Sequence, residues 1–155
     1  KIMSNTYTQI HIQIIFAVKY RIAMIDTVWK DDLYKYISGI IQTQNHKLII
    51  IGGVADHIHI LLGYRPNQSL SDLVQDIKGS SSKWINEKKF FRTKFAWQEG
   101  YGAFSYSHSH LSKVINYIKN QEQHHKKVTF IDEYKSFLKS FNVTFDERFI
   151  LKEPE

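Results

Sequence analysis

Asp56-His57-Ile58-His59-Ile60-Leu61-Leu62-Gly63 is the stretch on which the reading of this chain turns. Strand geometry sends alternate side chains to opposite faces, so His57 and His59 share one face while Ile58, Ile60 and Leu62 share the other. The apolar face demands a covering layer, and the paired imidazoles opposite it can clasp one metal ion. A His-x-His in a strand is by itself more often structural than ligating, so the surrounding sequence has to decide.

Upstream, Lys47 to Val54 is rich in β-formers and ends on Gly52-Gly53. Only Ala55 and Asp56 separate it from the histidine strand, which predicts an antiparallel hairpin with the pair on its second arm. Nearer the start, Ile10, Ile12, Ile14, Phe16 and Val18 alternate with Gln9, His11, Gln13, Ile15 and Ala17, predicting a strand over 7–18. Between these strands, Asp26 to Gln44 carries Trp29, Leu33, Tyr36, Ile37, Ile40 and Ile41 at helical spacing, with Thr27 as N-cap. Beyond the Pro66-Asn67 turn, Leu70, Leu73, Val74, Ile77, Ser81, Trp84 and Ile85 mark a second long helix. Phe95-Ala96-Trp97 and Ala103-Phe104-Ser105-Tyr106 read as short strands flanking the Gly100-Tyr101-Gly102 turn. The order strand, helix, strand, strand, helix, strand is the βαββαβ arrangement, an α+β fold with two helices on one face of an antiparallel sheet.

In the last third, Leu111, Val114, Ile115 and Ile118 form an amphipathic stripe within 111–123, capped by Ser107 or Ser109. Tyr117 and Gln121 fall largely outside that stripe and one turn apart, so a phenol and an amide oxygen can project together toward one site. A tyrosine at a helix edge ordinarily packs its ring, and the weight of this pair comes from the rest of the pattern. A final helix over 129–141, with Phe130, Tyr134, Phe137, Leu138 and Phe141 on one side and a capping-box-like Thr129 to Asp132, is assigned to packing and interface.

A chain of 155 residues with 43% hydrophobic and 14% aromatic residues is expected to fold as one domain over 1–155. Lys plus Arg number 21 against 15 Asp plus Glu, a formal charge of +6, which favours a polyanionic partner without establishing one. The absence of cysteine excludes disulfides and thiolate metal sites and points to the cytoplasm. No apolar run approaches the roughly 20 residues that cross a bilayer, and no signal-peptide core is evident, so no membrane partner is expected.

Three blocks together resemble the single-tyrosine HUH transposases, the small insertion-sequence and REP-associated enzymes that cut and rejoin single-stranded DNA. They are Phe16-Ala17-Val18-Lys19-Tyr20-Arg21, then Asp56 to Leu62, then Trp97 to Ser105 followed by Tyr117-Ile118-Lys119-Asn120-Gln121-Glu122-Gln123-His124-His125. One departure is Gln13, where the first strand of the family would carry a histidine ahead of its apolar run. The resemblance implies a ferredoxin-like, RRM-like fold with additional C-terminal helices. It implies Tyr117 as nucleophile and His57, His59 and Gln121 as ligands of a divalent metal, Mg²⁺ or Mn²⁺. It further implies a 5′-phosphotyrosine intermediate, hairpins at the ends of the DNA substrate, and a homodimer in which one subunit's tyrosine helix can complete the other's metal site.

For the DNA path, Lys19, Arg21, Lys78, Lys83, Lys88, Lys89, Arg92 and Lys94 are candidate phosphate contacts, although each is as readily a solvated surface charge. His124 and His125 are read as exposed or phosphate-contacting rather than ligating. Two other readings fit the same residues: a non-catalytic nucleic-acid-binding module of this fold, and a metal-dependent phosphodiesterase that activates water.

Overall fold

The computed structural model describes residues 6–146. Its sheet has four strands, β1 (His11–Ala17), β2 (Lys47–Val54), β3 (His57–Gly63) and β4 (Gly102–Tyr106), in the spatial order β2-β3-β1-β4, all antiparallel. The helices are α1 (Thr27–Thr43), α2 (Leu70–Lys88), α3 (Leu111–Lys119), the short α4 (Gln121–His124) and α5 (Phe130–Ser140). This is the α+β, βαββαβ plan that the hydrophobic periods predict, in the ferredoxin-like form with added C-terminal helices that the resemblance implies.

Period-two alternation divides the core. Ile12, Ile14 and Phe16 of β1 and Ile58, Ile60 and Leu62 of β3 face α1 and α2, where they meet Leu33, Ile37, Ile41, Leu73, Val74 and Ile77. Burying side chains of this size contributes about 1.5–3 kcal/mol each, so this layer supplies most of the drive to fold. The opposite face receives α3 and α5: Leu61 packs with Val114 and Ile118, and Ile15 and Ala17 pack with Phe104, Phe130 and Leu138. A bulge in β2 between Leu48 and Ile50 explains how consecutive aliphatics serve both layers. Leu48 and Ile51 join the α1/α2 side, while Ile49 and Ile50 join α3.

Several local details differ from the sequence reading. Asp26 caps α1, its carboxylate accepting from Val28 N at 2.9 Å, and Thr27 is the first helical residue. Gly52 and Gly53 lie inside β2 opposite His59 and Ile58, not at its end. The stretch 95–97 is reduced to one bridge between Val18 and Trp97, because its neighbours bond elsewhere: the Asn86 side chain holds Phe95 N and O. α3 starts after a 3₁₀ turn, with no side-chain cap at His110, while Ser107 bonds the His110 ring instead. Among the described residues, no helix is long and apolar enough to cross a membrane.

Candidate active site

His57 and His59 project from β3 toward α3 and α5, and both are completely buried. The hairpin turn that precedes them is tightly anchored. Val18 N donates to Asp56 O at 2.8 Å, and Met24 N and Ile25 N donate to Ala55 O. This fixes Asp56 so that its carboxylate accepts from His57 Nδ1 at 2.7 Å. His59 is oriented by Gln13, whose amide nitrogen lies 2.7 Å from His59 Nδ1 while its oxygen accepts from Tyr106 at 2.7 Å. The residue that departs from the family pattern therefore steers a candidate ligand.

Tyr117 reaches this pair because α3 docks very closely on β2. A Cβ added at Gly52 would lie 2.7 Å from both Ile118 Cγ2 and Ile118 O, so only glycine admits the helix at this height. The Tyr117 ring stands 5.8 Å from the His59 ring, edge to face. The predicted continuous helix breaks at Asn120, which places Tyr117 on α3 and Gln121 on α4. The two stay together nonetheless: the Gln121 amide donates to Tyr117 O at 3.4 Å, and Gln121 Oε1 approaches His57 Nε2 at 3.1 Å. All four residues singled out from the sequence meet within one chain.

At their centre sits a residue that the sequence reading missed. Glu133 of α5 is only 2% exposed. Its Oε1 lies 3.1 Å from His59 Nε2, 3.3 Å from His57 Nε2 and 3.1 Å from His125 Nε2. Its Oε2 accepts from Tyr117 OH and, at 3.2 Å, from the Gln121 amide. The final helix is thus part of the site and not packing alone. The available signal was an acid set three residues after Phe130 and four before Phe137, within an otherwise apolar stripe.

His125 also departs from expectation, since it is nearly buried rather than exposed, with 9% of its side chain accessible. His124 is partly accessible, and its Nε2 lies 3.3 Å from both Tyr117 OH and Glu133 Oε2. Burial pushes the His57 imidazole down, but the Asp56 and Glu133 carboxylates outweigh it and raise its pKa to about 9. Burial holds His59 below the ordinary histidine range despite Glu133. Burial raises the Tyr117 phenol well above its usual value, and the Glu133 carboxylate beside it adds to the effect. Burial also favours protonation of Glu133, yet the surrounding imidazoles win and hold it far below the carboxylate range.

One donor atom each from His57, His59, His125 and Glu133 falls within 4.8 Å of the others, a group able to hold a metal ion. Imidazoles with a carboxylate and an amide oxygen suit a borderline divalent cation. The buried Nε2 of His125 lies 3.1 Å from Glu133 Oε1 but meets no partner in hydrogen-bonding geometry among the described residues.

The cationic candidates lie in different settings. Lys78 is half-buried, donating to Gln98 O at 2.6 Å and Gly100 O at 2.8 Å, so most of its hydrogen-bonding capacity ties α2 to the 98–100 loop. Lys83 is exposed, 3.9 Å from Glu87, and shares a groove between α2 and the 94–101 segment with Lys78 and Lys94. That groove opens beside α2, the helix packed on the sheet face opposite the histidines. Lys19 and Arg21 flank Tyr20 in a short 3₁₀ turn after β1, and Arg92 is exposed beyond α2.

A family model described as IS200-like transposase matches residues 6–121. The chain is 28% identical over 131 residues to the transposase of insertion sequence element IS200 from Salmonella typhimurium, covering 81% of this chain and 86% of that protein. It is 25% identical over 120 residues to the ISDra2 transposase TnpA of Deinococcus radiodurans, covering 73% and 84%. Among solved structures, a putative transposase from Deinococcus radiodurans superposes with a TM-score of 0.62 at 23% identity, covering 78% of this chain and 97% of that one. A REP-associated tyrosine transposase bound to a REP hairpin superposes with a TM-score of 0.61 at 12% identity, covering 83% and 76%, and so shares the fold. With most of its length under the family model, the chain belongs to the IS200-like transposases.

Proposed function

We propose that this chain is a transposase that cleaves and rejoins single-stranded DNA with Tyr117 as nucleophile. The observation that carries the reading is the convergence of Tyr117, His57, His59 and Gln121 around one buried point within a single chain. In cleavage, the Tyr117 oxygen forms a bond to the scissile phosphorus as the bond from phosphorus to the 3′ oxygen breaks. The phenol loses its proton, the departing 3′ oxygen gains one, and the downstream strand stays attached as a 5′-phosphotyrosine. Attack by another strand's 3′ hydroxyl reverses these changes and seals DNA without a nucleotide cofactor.

His57, His59 and Gln121 would hold a divalent cation, Mg²⁺ or Mn²⁺, which supplies charge to the phosphoryl oxygens and leaves positions for the phosphate. Until substrate arrives, Tyr117 keeps its proton, because a carboxylate beside a buried phenol opposes ionisation. Asp56 accepts from His57 Nδ1 as the partner of a ligating histidine does, while the Gln13 amide nitrogen lies against His59 Nδ1 and fixes the orientation of that ring. The substrate carries hairpins near the cut, in line with the hairpin bound by the structural neighbour, and Lys19, Arg21, Lys83 and Arg92 contact its phosphates. The chain works as a single domain in a cytoplasmic homodimer, and its tyrosine serves the metal site of its own subunit.

The test is incubation with 5′- and 3′-labelled single strands from the element's ends, with Mn²⁺ or Mg²⁺, followed by a denaturing gel beside Tyr117→Phe. A metal-dependent covalent adduct carrying the downstream strand, absent from the variant, is the expected result. Cleavage without an adduct would make the protein a phosphodiesterase, and binding without cleavage a nucleic-acid-binding module.

A further inference from the structure

The metal reading above rests on His57, His59 and Gln121, but the cluster holds two more donors from the C-terminal part of the chain. His125 follows α4 and Glu133 lies on α5. His125 Nδ1 stands 2.6 Å from Val128 O. A carbonyl only accepts, so Nδ1 carries the proton and Nε2 presents its lone pair to the site. That lone pair meets the carboxylate oxygen of Glu133 at 3.1 Å, yet the two make no hydrogen bond. Two electron-rich atoms at this distance repel unless a proton or a metal cation near both offsets their charge, and a cation coordinated by both satisfies the contact without a hydrogen bond.

His57 repeats the pattern. Its Nδ1 is committed to Asp56, and its Nε2 faces Gln121 Oε1 at 3.1 Å and Glu133 Oε1 at 3.3 Å. Ligating histidines characteristically give their other ring N–H to a carboxylate or a backbone carbonyl, and Asp56 and Val128 are one of each. The separations of 3.1 to 3.3 Å between Glu133 Oε1 and the imidazole nitrogens suit neighbouring donors in a shell with bonds of about 2.1–2.3 Å.

We propose that His125 and Glu133 ligate the same divalent cation as His57 and His59, so that the helical tail beyond Gln121 completes the metal centre. Glu133 then has two tasks. One carboxylate oxygen belongs to the ligand cluster, and the other holds the Tyr117 hydroxyl and the Gln121 amide beside it. The inference rests on the metal reading of the hairpin histidines and adds two ligands to it.

The full DNA-free chain, titrated with Mn²⁺ by calorimetry, tests this alongside His57→Ala, His125→Ala and Glu133→Gln. Pulsed electron paramagnetic resonance counts the imidazoles coupled to the bound Mn²⁺. The wild-type chain is expected to show three coupled imidazoles, falling to two in His125→Ala. His125→Ala and Glu133→Gln should each weaken Mn²⁺ binding tenfold or more. Two coupled imidazoles in the wild-type chain would remove His125 from the set, whatever the variants' folding. Wild-type affinity in folded Glu133→Gln would remove Glu133. If the wild-type chain takes up no Mn²⁺, or His57→Ala binds it unchanged, the metal reading of the histidine pair falls first.

Discussion

The two faces of the sheet are built on opposite principles. The face toward α1 and α2 is filled with aliphatic and aromatic side chains, with Ser81 a buried polar exception that accepts from Trp97 Nε1 at 2.9 Å. The face toward α3 and α5 buries Gln13, His57, His59, Gln121 and Glu133 together. Burying so many polar groups is tolerable only because they bond one another, and it yields little net stability. One face therefore holds the fold while the other holds a charged, prearranged site that the first face must stabilise.

Exchanging substitutions between the faces is the most direct way to break this contrast. The largest effect is expected from Tyr117→Phe, which removes one oxygen from the polar face. Covalent adduct should drop by about 10³-fold or more, while the melting temperature measured by circular dichroism moves by only a few degrees. Leu33→Ala, on the fully buried apolar face, should do the reverse. It is expected to cost about 2–5 kcal/mol in urea unfolding, with adduct yield per folded molecule unchanged.

Gly52→Ala would blur the division, because its Cβ would strike the backbone of α3. A loss of about 1–3 kcal/mol should come with a fall in adduct yield exceeding what unfolding explains; full activity in the folded fraction would show that the close approach does not position Tyr117. Lys78→Met would leave the Gln98 and Gly100 carbonyls without their ammonium donor, at about 1–3 kcal/mol. If instead stability holds and DNA affinity falls, Lys78 serves phosphate and not the loop. The smallest change is expected from Arg92→Ala or Lys83→Ala. Each should lower the salt dependence of oligonucleotide binding by about one ion in the log–log slope, without altering unfolding.

The apolar face was legible in the sequence because its signals are local periods: two along β1 and β3, and three to four along α1 and α2. The polar face was legible only where chemistry and period coincided. His57 with His59, and Tyr117 with Gln121, are close in sequence and share a face by spacing alone. Glu133 and His125 carry no such mark. Glu133 interrupts an amphipathic stripe that otherwise reads as packing, and His125 is turned inward by a bond to Val128 O across a short connection that spacing does not reveal. The break at Asn120 escaped for the same reason, since the apolar stripe runs up to it without interruption.

The order of strands across the sheet also sets a timetable. β1, β2, β3, α1 and α2 all precede residue 89, whereas β4 is added on the outer side of β1, and α3 to α5 follow it. A chain emerging from the ribosome therefore presents the histidine hairpin, β1 and both covering helices before Tyr117 leaves the tunnel, with Phe95 and Trp97 of that layer still to follow. The part that would cut DNA is the last to join the sheet, and an unfinished polypeptide halted before α3 would carry the imidazoles and no nucleophile.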